Sequence, residues 1–486
     1  MDREDHNAMP GMGGENEERE EREDEVEEQT EEEDTDHTDY YLETAAGWGS
    51  LPDVCLRHVF RWLRNRDRMS ANLVCRHWHS VMRSPSLWRF RCFHLSGRLS
   101  KYRLSEHSST MAYALSLGGY LERLEVCVCP SPRSSMVAQR LQRTITDLFD
   151  ELTRAKVQLR SLSLAGLQLD RRCWTWGLKN SLVHSLILFL RQGASRLTSV
   201  RLRRMRTSLP QGLELLSTLS LSQRHFIHCI SSLDLEEFFL SSLPVHLNPI
   251  MPHILLNLRG LTSLSLSYSC LSDALLLALG SKAPVWRSHS KWDGDTLQTF
   301  SLQCLSSEPH EQVVRGSSWA SLASSCPDLK VKLNVVHVVN TDRLARILLP
   351  EIPLTNYTMT ACYSSDEDWS AKPVLTEMLP QYRHSLQDLT LDLSNCNEAL
   401  DEELLDLVEV CVCLERLRVW AFLEISTVDR LLQNRLNQRS QLNNIRVGIY
   451  SLNEDTDEDD QVEELMSCYQ HLPPELSFSV IVYPFI

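Results

Sequence analysis

LTSLSLSYSCLSDALLLAL, residues 261–279, carries two periodicities back to back. In LTSLSL the last two apolar residues, Leu264 and Leu266, sit two apart, as on a strand with one buried face. In LSDALLLALG (271–280) the apolar residues return at helical spacing. One strand followed by one helix is too small to bury its own apolar face. Stacked copies of such a unit share a continuous core, so the fold turns on whether the unit repeats.

It does. The six-residue pattern apolar-x-x-apolar-x-apolar recurs as LERLEV at 121, LRSLSL at 159, LTSVRL at 197, ISSLDL at 230 and LQTFSL at 297. It continues as LTNYTM at 354, LQDLTL at 386, LERLRV at 414 and LNNIRV at 442, with a degraded copy, LKVKLNV, at 329. Segments of helical period lie between copies, among them DRLARILLPEI (342–352), LDEELLDLVEVCV (400–412) and TVDRLLQNRLNQ (427–438). The expected fold is an α/β solenoid of alternating strand and helix. Eleven strands at ~4.8 Å spacing make a curved sheet roughly 50 Å along its stacking axis. LSFSVIVYPFI (476–486) alternates at period two and suits a closing strand, and NEDTDEDDQ (453–461) before it reads as a solvated loop.

Ahead of the repeats, Leu56, Val59, Phe60 and Leu63 fall at helical spacing after a Ser50-Leu51-Pro52 entry, proline suiting a first helical turn. After an NRDR break, Ala71, Val74, Trp78, Val81 and Met82 form a second apolar stripe, and Leu87 with Trp88 a third anchor. Three such pieces in under fifty residues bury little surface, so the module is expected to rest on a neighbour, a partner or both. Cys75 and His79 share a helix face while His77 lies away from both. Two ligands fall short of the four a structural zinc site needs, so no metal site is expected.

The formal charge of −16 is local. Residues 1–40 hold 19 acidic and 3 basic side chains, which leaves 46 of each sign in the other 446 residues. A tail so poor in apolar residues is expected to be disordered and solvating, the alternative being that it shields the basic stretch 57–103, where 12 Arg or Lys accompany one acid, Asp67. The 15 cysteines form no CxxC. Cys127 with Cys129 and Cys411 with Cys413 sit in apolar strings as small buried hydrophobes. With no secretory signal and no apolar run near the ~20 residues of a membrane span, a cytoplasmic or nuclear protein is expected. Motifs for phosphate, dinucleotide, serine-nucleophile or zinc-protease chemistry are missing, and no cofactor is called for. Of the carboxylate clusters, Asp401-Glu402-Glu403 suits the first turn of a helix, and Asp366-Glu367-Asp368 lies in a polar loop with no helper nearby. A non-catalytic protein is the reading.

Two resemblances sharpen this. Leu51-Pro52, Leu56, Val59-Phe60, Leu63 and Asp67, then Val74-Cys75-Arg76 with Trp78 and Leu87-Trp88-Arg89, resemble an F-box in order and spacing across residues 48–92. The strand–helix repeats resemble the long, irregular leucine-rich repeats of F-box proteins, with Cys270 where that class often has Asn or Cys. The resemblance implies a three-helix module that docks onto the adaptor Skp1, and through it a cullin and a RING protein, in an SCF-type ubiquitin ligase. Carried over, Leu51, Pro52, Leu56, Val59, Phe60, Leu63, Val74, Trp78 and Trp88 serve Skp1 docking, the two tryptophans also sealing the module's core and its junction. The implied organisation is an acidic tail (1–46), an F-box (47–92), a junction or cap (93–120), irregular repeats (121–475) and a closing strand (476–486).

An unknown protein target would lie on the concave face of the repeats, where Asp388, Thr390, Asp392, Arg418, Trp420 and Arg446 flank the inward anchors. An exposed Trp beside arginines and acids has the composition of a binding hot spot, the alternative being that Trp420 packs on the C-terminal cap. Neither a membrane nor nucleic acid is an expected partner, because the arginines of 57–103 alternate with core residues and no aromatic platform lies among them. A Skp1-binding scaffold without target turnover is the alternative role, and a nucleic-acid binder using 57–103 the last.

Overall fold

The computed structural model describes residues 47–484 apart from 64, 99–104, 194–195, 223–228, 259, 282–295, 364–368, 397, 439–440, 452–455, 470–471 and 473. The tail 1–46, the Asp366-Glu367-Asp368 cluster, the first part of the 453–461 stretch and the final two residues lie outside it.

Three short helices open the chain: α1 (Asp53–Trp62), α2 (Asn65–Ala71) and α3 (Arg76–Met82). Each later strand then alternates with outer helices. β1 (Phe90–Leu95) leads through α4 (Ser105–Leu117) to β2 (Arg123–Val128), and α5 (Ser135–Arg154) to β3 (Ser161–Ala165). α6 (Trp176–Gly193) precedes β4 (Ser199–Arg203), α7 (Leu209–Ser222) precedes β5 (Ser232–Leu235), and α8 (Ile250–Leu256) precedes β6 (Ser263–Ser267). α9 (Asp273–Gly280), β7 (Thr299–Leu305), α10 (Gly316–Ser325), β8 (Lys330–Val336), α11 (Thr341–Ile347) and β9 (Leu354–Cys362) follow. The chain closes with β10 (Asp388–Ser394), α12 (Asp401–Val410), β11 (Arg416–Ala421), α13 (Ile425–Gln438), β12 (Asn444–Ser451), α14 (Thr456–Cys468) and β13 (Ser477–Pro484).

The thirteen strands among the described residues join one sheet in chain order, and every neighbouring pair is parallel. Two strands exceed the eleven repeat copies: β13, the expected closing strand, and β1, which lies where only a junction was expected. FRCFHL lacks the six-residue pattern yet pairs with β2 from Phe90↔Arg123 to Leu95↔Val128. Twelve gaps at ~4.8 Å set the stacked length at roughly 58 Å.

The core follows from the pattern. Leu264 and Leu266, Leu389 and Leu391, and Leu417 and Val419 are each 2% exposed or less, turned into the helix layer. Between them Asp388, Thr390 and Asp392, or Arg416, Arg418 and Trp420, remain partly accessible on the sheet's open face. The degraded copy at 329 has a structural counterpart. Leu302 faces Leu333, Leu333 faces Tyr357, and the ladder shifts between Val331 and Lys332. LKVKLNV spaces its apolar residues by two throughout, so the second anchor row before β8 runs into the first anchor row after it.

Other expectations change. NRDR is no break: residues 65–68 begin α2. The second apolar stripe is split by a turn, so Ala71 ends α2 while Val74 stands exposed before α3. Cys75 is the N-cap of α3, its sulfur 3.4 Å from the Trp78 amide, and is exposed. From Thr456 onward the acidic stretch is helix α14 rather than loop. Cys411 and Cys413 fall in the turn after α12, not on a strand, and Cys129 is exposed rather than buried.

Candidate functional site

The helical module has a core of its own and a separate set of exposed apolar side chains. Inside, Phe60 meets Trp78 edge to face at 5.0 Å, and Leu56 and Phe60 are fully buried. Arg68, itself buried, donates from Nε to Phe60 O (3.0 Å), from Nη1 to Leu87 O (2.6 Å) and from Nη2 to Arg61 O (2.9 Å). Two of these carbonyls lie at the end of α1, where Phe60 O also accepts the Leu63 amide at 3.2 Å, and the third belongs to the turn before Trp88, so one guanidinium ties the two together. Trp88 Nε1 donates to Met82 O at 2.8 Å, and Tyr113 of α4 donates to Trp88 O at 3.0 Å. Burial pushes the Tyr113 phenol up to about 12, so it stays protonated and donating. Leu56, Phe60 and Trp88, expected on a docking surface, are therefore core, and Trp88 ties the module to α4.

What faces solvent is a different set. Val54, Trp62 and Leu73 join Val59 and Val74 as exposed apolar side chains, Trp62 at 80% and Leu73 at 84%. Pro52 is exposed, whereas Leu51, Leu63 and Trp78 are half-buried against the core. Sequence spacing singled out neither Trp62 nor Leu73. A helical wheel centred on Leu56 and Phe60 puts Trp62 on the far side, and an unexplained Trp there was the available signal. The N-terminal turn is pinned over α3, with Trp78 Nε1 donating to Trp48 O at 3.2 Å. His77 spans from Gly49 O (Nδ1, 2.8 Å) to Asp53 Oδ1 (Nε2, 2.8 Å), and the Asp53 bond raises its pKa above the ordinary imidazole value.

On the open face Asp388, Thr390 and Arg418 line one hollow of about 220 Å³, together with Lys332, Asn334 and Asn356. Asp388 is not a free carboxylate: Arg416 donates to it twice, each bond 2.6 Å, and Asn356 once at 2.5 Å. Asp392 accepts from the Tyr450 hydroxyl at 2.8 Å. Arg446 is exposed and pairs in register with Arg418 and, through it, Thr390. Trp420 lies flat over Gly448 of β12, where a Cβ would fall 2.1 Å from its Cδ1. The neighbouring strand β12 thus supports it. By strand register the six residues fall on one face, where Asp388, Thr390 and Arg418 line the hollow and Trp420 lies over Gly448.

Among the described residues no group of three or more His, Cys, Asp or Glu is placed to hold a metal ion. Nor is any helix among them long and apolar enough to cross a membrane. None of the fifteen cysteines is joined in a disulfide.

Residues 48–94 match the F-box-like family model. The chain is 25% identical over 290 residues to F-box/LRR-repeat protein 21 of Ovis aries, covering 58% of each chain, and 24% identical over 294 residues to its Mus musculus counterpart, covering 60% of each. F-box/LRR-repeat protein 12 of Bos taurus is 29% identical over 79 residues, which is 16% of this chain and 24% of that one. The match thus spans well under two thirds of these relatives' length. The chain carries an F-box-like domain and is homologous to F-box/LRR-repeat proteins. Stretches such as HEQVVRGSSWASLA (310–323) and ALDEELLDLV (399–408) also resemble F-box only protein 39, a finer likeness to which these matches lend no support.

Proposed function

We propose that this chain is the substrate-recognition subunit of an SCF-type E3 ubiquitin ligase, a non-catalytic adaptor working in the cytosol or nucleus. The observation that carries it is the exposed apolar face of Val54, Trp62, Leu73 and Val74 on an F-box-like domain whose core is already filled by other residues. An apolar face of that kind, left open on a well-packed module, marks a protein partner. The partner of that chemistry is Skp1, which brings a cullin and a RING protein. The acidic tail, the F-box to residue 92, the junction to 120 and the repeats to 475 divide the work, and the open face holds a protein target. Asp388, Thr390, Asp392, Arg418, Trp420 and Arg446 make up that binding surface, and the adaptor raises rate by holding the target near the ubiquitin-loaded enzyme.

Reconstitution tests it. Full-length chain is assembled with Skp1, cullin, RING protein and a ubiquitin-loaded conjugating enzyme, together with proteins co-purified on the repeats. Ubiquitin transfer to a co-purified protein, lost in Leu51→Ala/Pro52→Ala and reduced in Trp420→Ala/Arg446→Glu, is the expected result. Skp1 binding with no transfer to any co-purified protein would favour the scaffold role. Equal Skp1 binding by wild type and Leu51→Ala/Pro52→Ala, or none by either, would end the F-box claim.

A further inference from the structure

Where α1 ends against the first strands, four exposed guanidinium groups converge. Arg61 comes from the last turn of α1, Arg89 precedes β1, Arg123 opens β2 and Arg160 precedes β3. They line a solvent-open hollow of about 750 Å³ in which Glu122 is the sole carboxylate among the described residues. Glu122 is shared at long range, 3.5 Å from Arg89 and 3.8 Å from Arg160. The Arg123 guanidinium instead lies 5.1 Å over the Phe90 ring. Ser161 and Ser199 continue the cross-strand row that Arg123 begins, adding hydroxyl groups to the floor. A fifth arginine at the wall, Arg68, is committed to three carbonyls and takes no part.

The charge here is unbalanced inside a body that is otherwise neutral, with 46 groups of each sign beyond residue 40. The compensating charge sits elsewhere in the same chain, where residues 15–36 contain 15 acidic side chains. Residue 36 is eleven positions before Gly47, where the described chain begins, and eleven extended residues reach up to about 36 Å. Helix α1, ten residues at 1.5 Å rise, carries the chain only about 15 Å from Asp53 to the Arg61 end. Reach is ample, and a tether of this length holds the segment near the hollow at roughly millimolar effective concentration.

We propose that this hollow binds a carboxylate-rich peptide, and that its occupant is the segment 15–36 of the same chain. Docked there, the segment covers the seam between the helical module and the starts of β2, β3 and β4. A competing polyanionic peptide displaces it. The proposal stands independently of the ubiquitin-ligase reading.

The test uses the full chain and a fluorescent synthetic peptide of residues 15–36, with anisotropy read at low salt. Converting the fifteen acids of 15–36 to Gln and Asn is expected to raise affinity for the added peptide at least tenfold over wild type. Adding Arg89→Gln, Arg123→Gln and Arg160→Gln to that variant is expected to abolish the gain, and raising salt to weaken binding, since surface charge is screened. Equal binding by wild type and the neutralised chain overturns occupancy by the segment. Undiminished binding after the arginine changes overturns the hollow, and displacement of the peptide by a single-stranded oligonucleotide at a lower charge concentration than unlabelled peptide overturns the ligand class. Hydrogen exchange of wild type against the neutralised chain is the second measurement, independent of the arginine variants. Backbone around 86–92, 120–124 and 158–162 is expected to lose protection on neutralisation, and unchanged protection overturns the proposal.

Discussion

Glu308→Gln isolates how burial governs charge in the solenoid. Glu308 is 2% exposed in the loop between β7 and α10, its Oε2 accepting the Ser269 amide at 3.0 Å while Oε1 has no partner among the described residues. Burial pushes this carboxyl up to about 8, against the stabilising Ser269 bond. His310, 3.9 Å away, is pushed down to about 4 by burial, with Arg343 and Arg346 adding to it. A folded pKa above the unfolded value means that Glu308 stability is intact below about pH 4.5 and is lost as pH rises toward 8. Linkage between these two values gives a penalty of about 1 kcal/mol at pH 5.5 and about 4 kcal/mol at pH 7.5. Glutamine does not titrate, and the His310 contribution is common to both proteins. The stability of Glu308→Gln relative to wild type should therefore rise by about 2–3 kcal/mol between these pH values, on the order of fiftyfold in local opening. Native-state hydrogen exchange over residues 263–280 and 299–325, corrected for intrinsic rates, reads this directly, which suits a repeat array where a single global midpoint misleads. An identical ratio of variant to wild-type protection at both pH values would refute the burial argument.

Three further outcomes follow from the geometry. Arg68→Leu removes three hydrogen bonds to backbone carbonyls, of which, among the described residues, Phe60 O alone keeps another donor, the Leu63 amide, and should cost about 3 kcal/mol, read as loss of exchange protection across α1 and α2 while β9 to β12 hold. His77 donates from both ring nitrogens only as imidazolium, and its raised pKa means that the N-terminal turn is held at low pH and released as pH climbs through that value. An NMR titration should find His77 titrating above ordinary histidine, and Asp53→Asn should bring it back. Gly448→Ala should lift the Trp420 indole from β12 and change its fluorescence without unfolding the chain. Unaltered emission would mean that the indole does not rest there.

The repeat architecture was legible because strand and helix periods alternate through ten copies with the same anchors and one degraded copy, and each became a strand in chain order. β1 was not, since FRCFHL takes its place through pairing with β2 and through Phe93 meeting Tyr113 at 5.7 Å, not through a repeat signature. Inside the helical module the apolar positions were found but their two roles were not separated. Phe60 and Trp62 lie two residues apart on α1 and point opposite ways, a distinction that depends on where α2, α3 and the sheet pack. The open-face residues were placed on the right side by the period-two rule. Their partners Arg416, Tyr450 and Gly448 come from strands 28 or more positions away, beyond any local pattern.

The central claim is that the exposed apolar face of the helical module is a docking surface for Skp1. Titrating purified Skp1 into full-length chain, with binding read by calorimetry, tests it most directly. Trp62→Ala/Leu73→Ala removes two exposed side chains without touching the core, so folding should be unchanged. Loss of two interface anchors should weaken Skp1 binding by about 2 kcal/mol or more, roughly thirtyfold. Leu247→Ala, equally exposed but on the solenoid, should leave affinity unaltered. Wild type that fails to bind Skp1, or a double variant that binds as wild type does, would contradict the account.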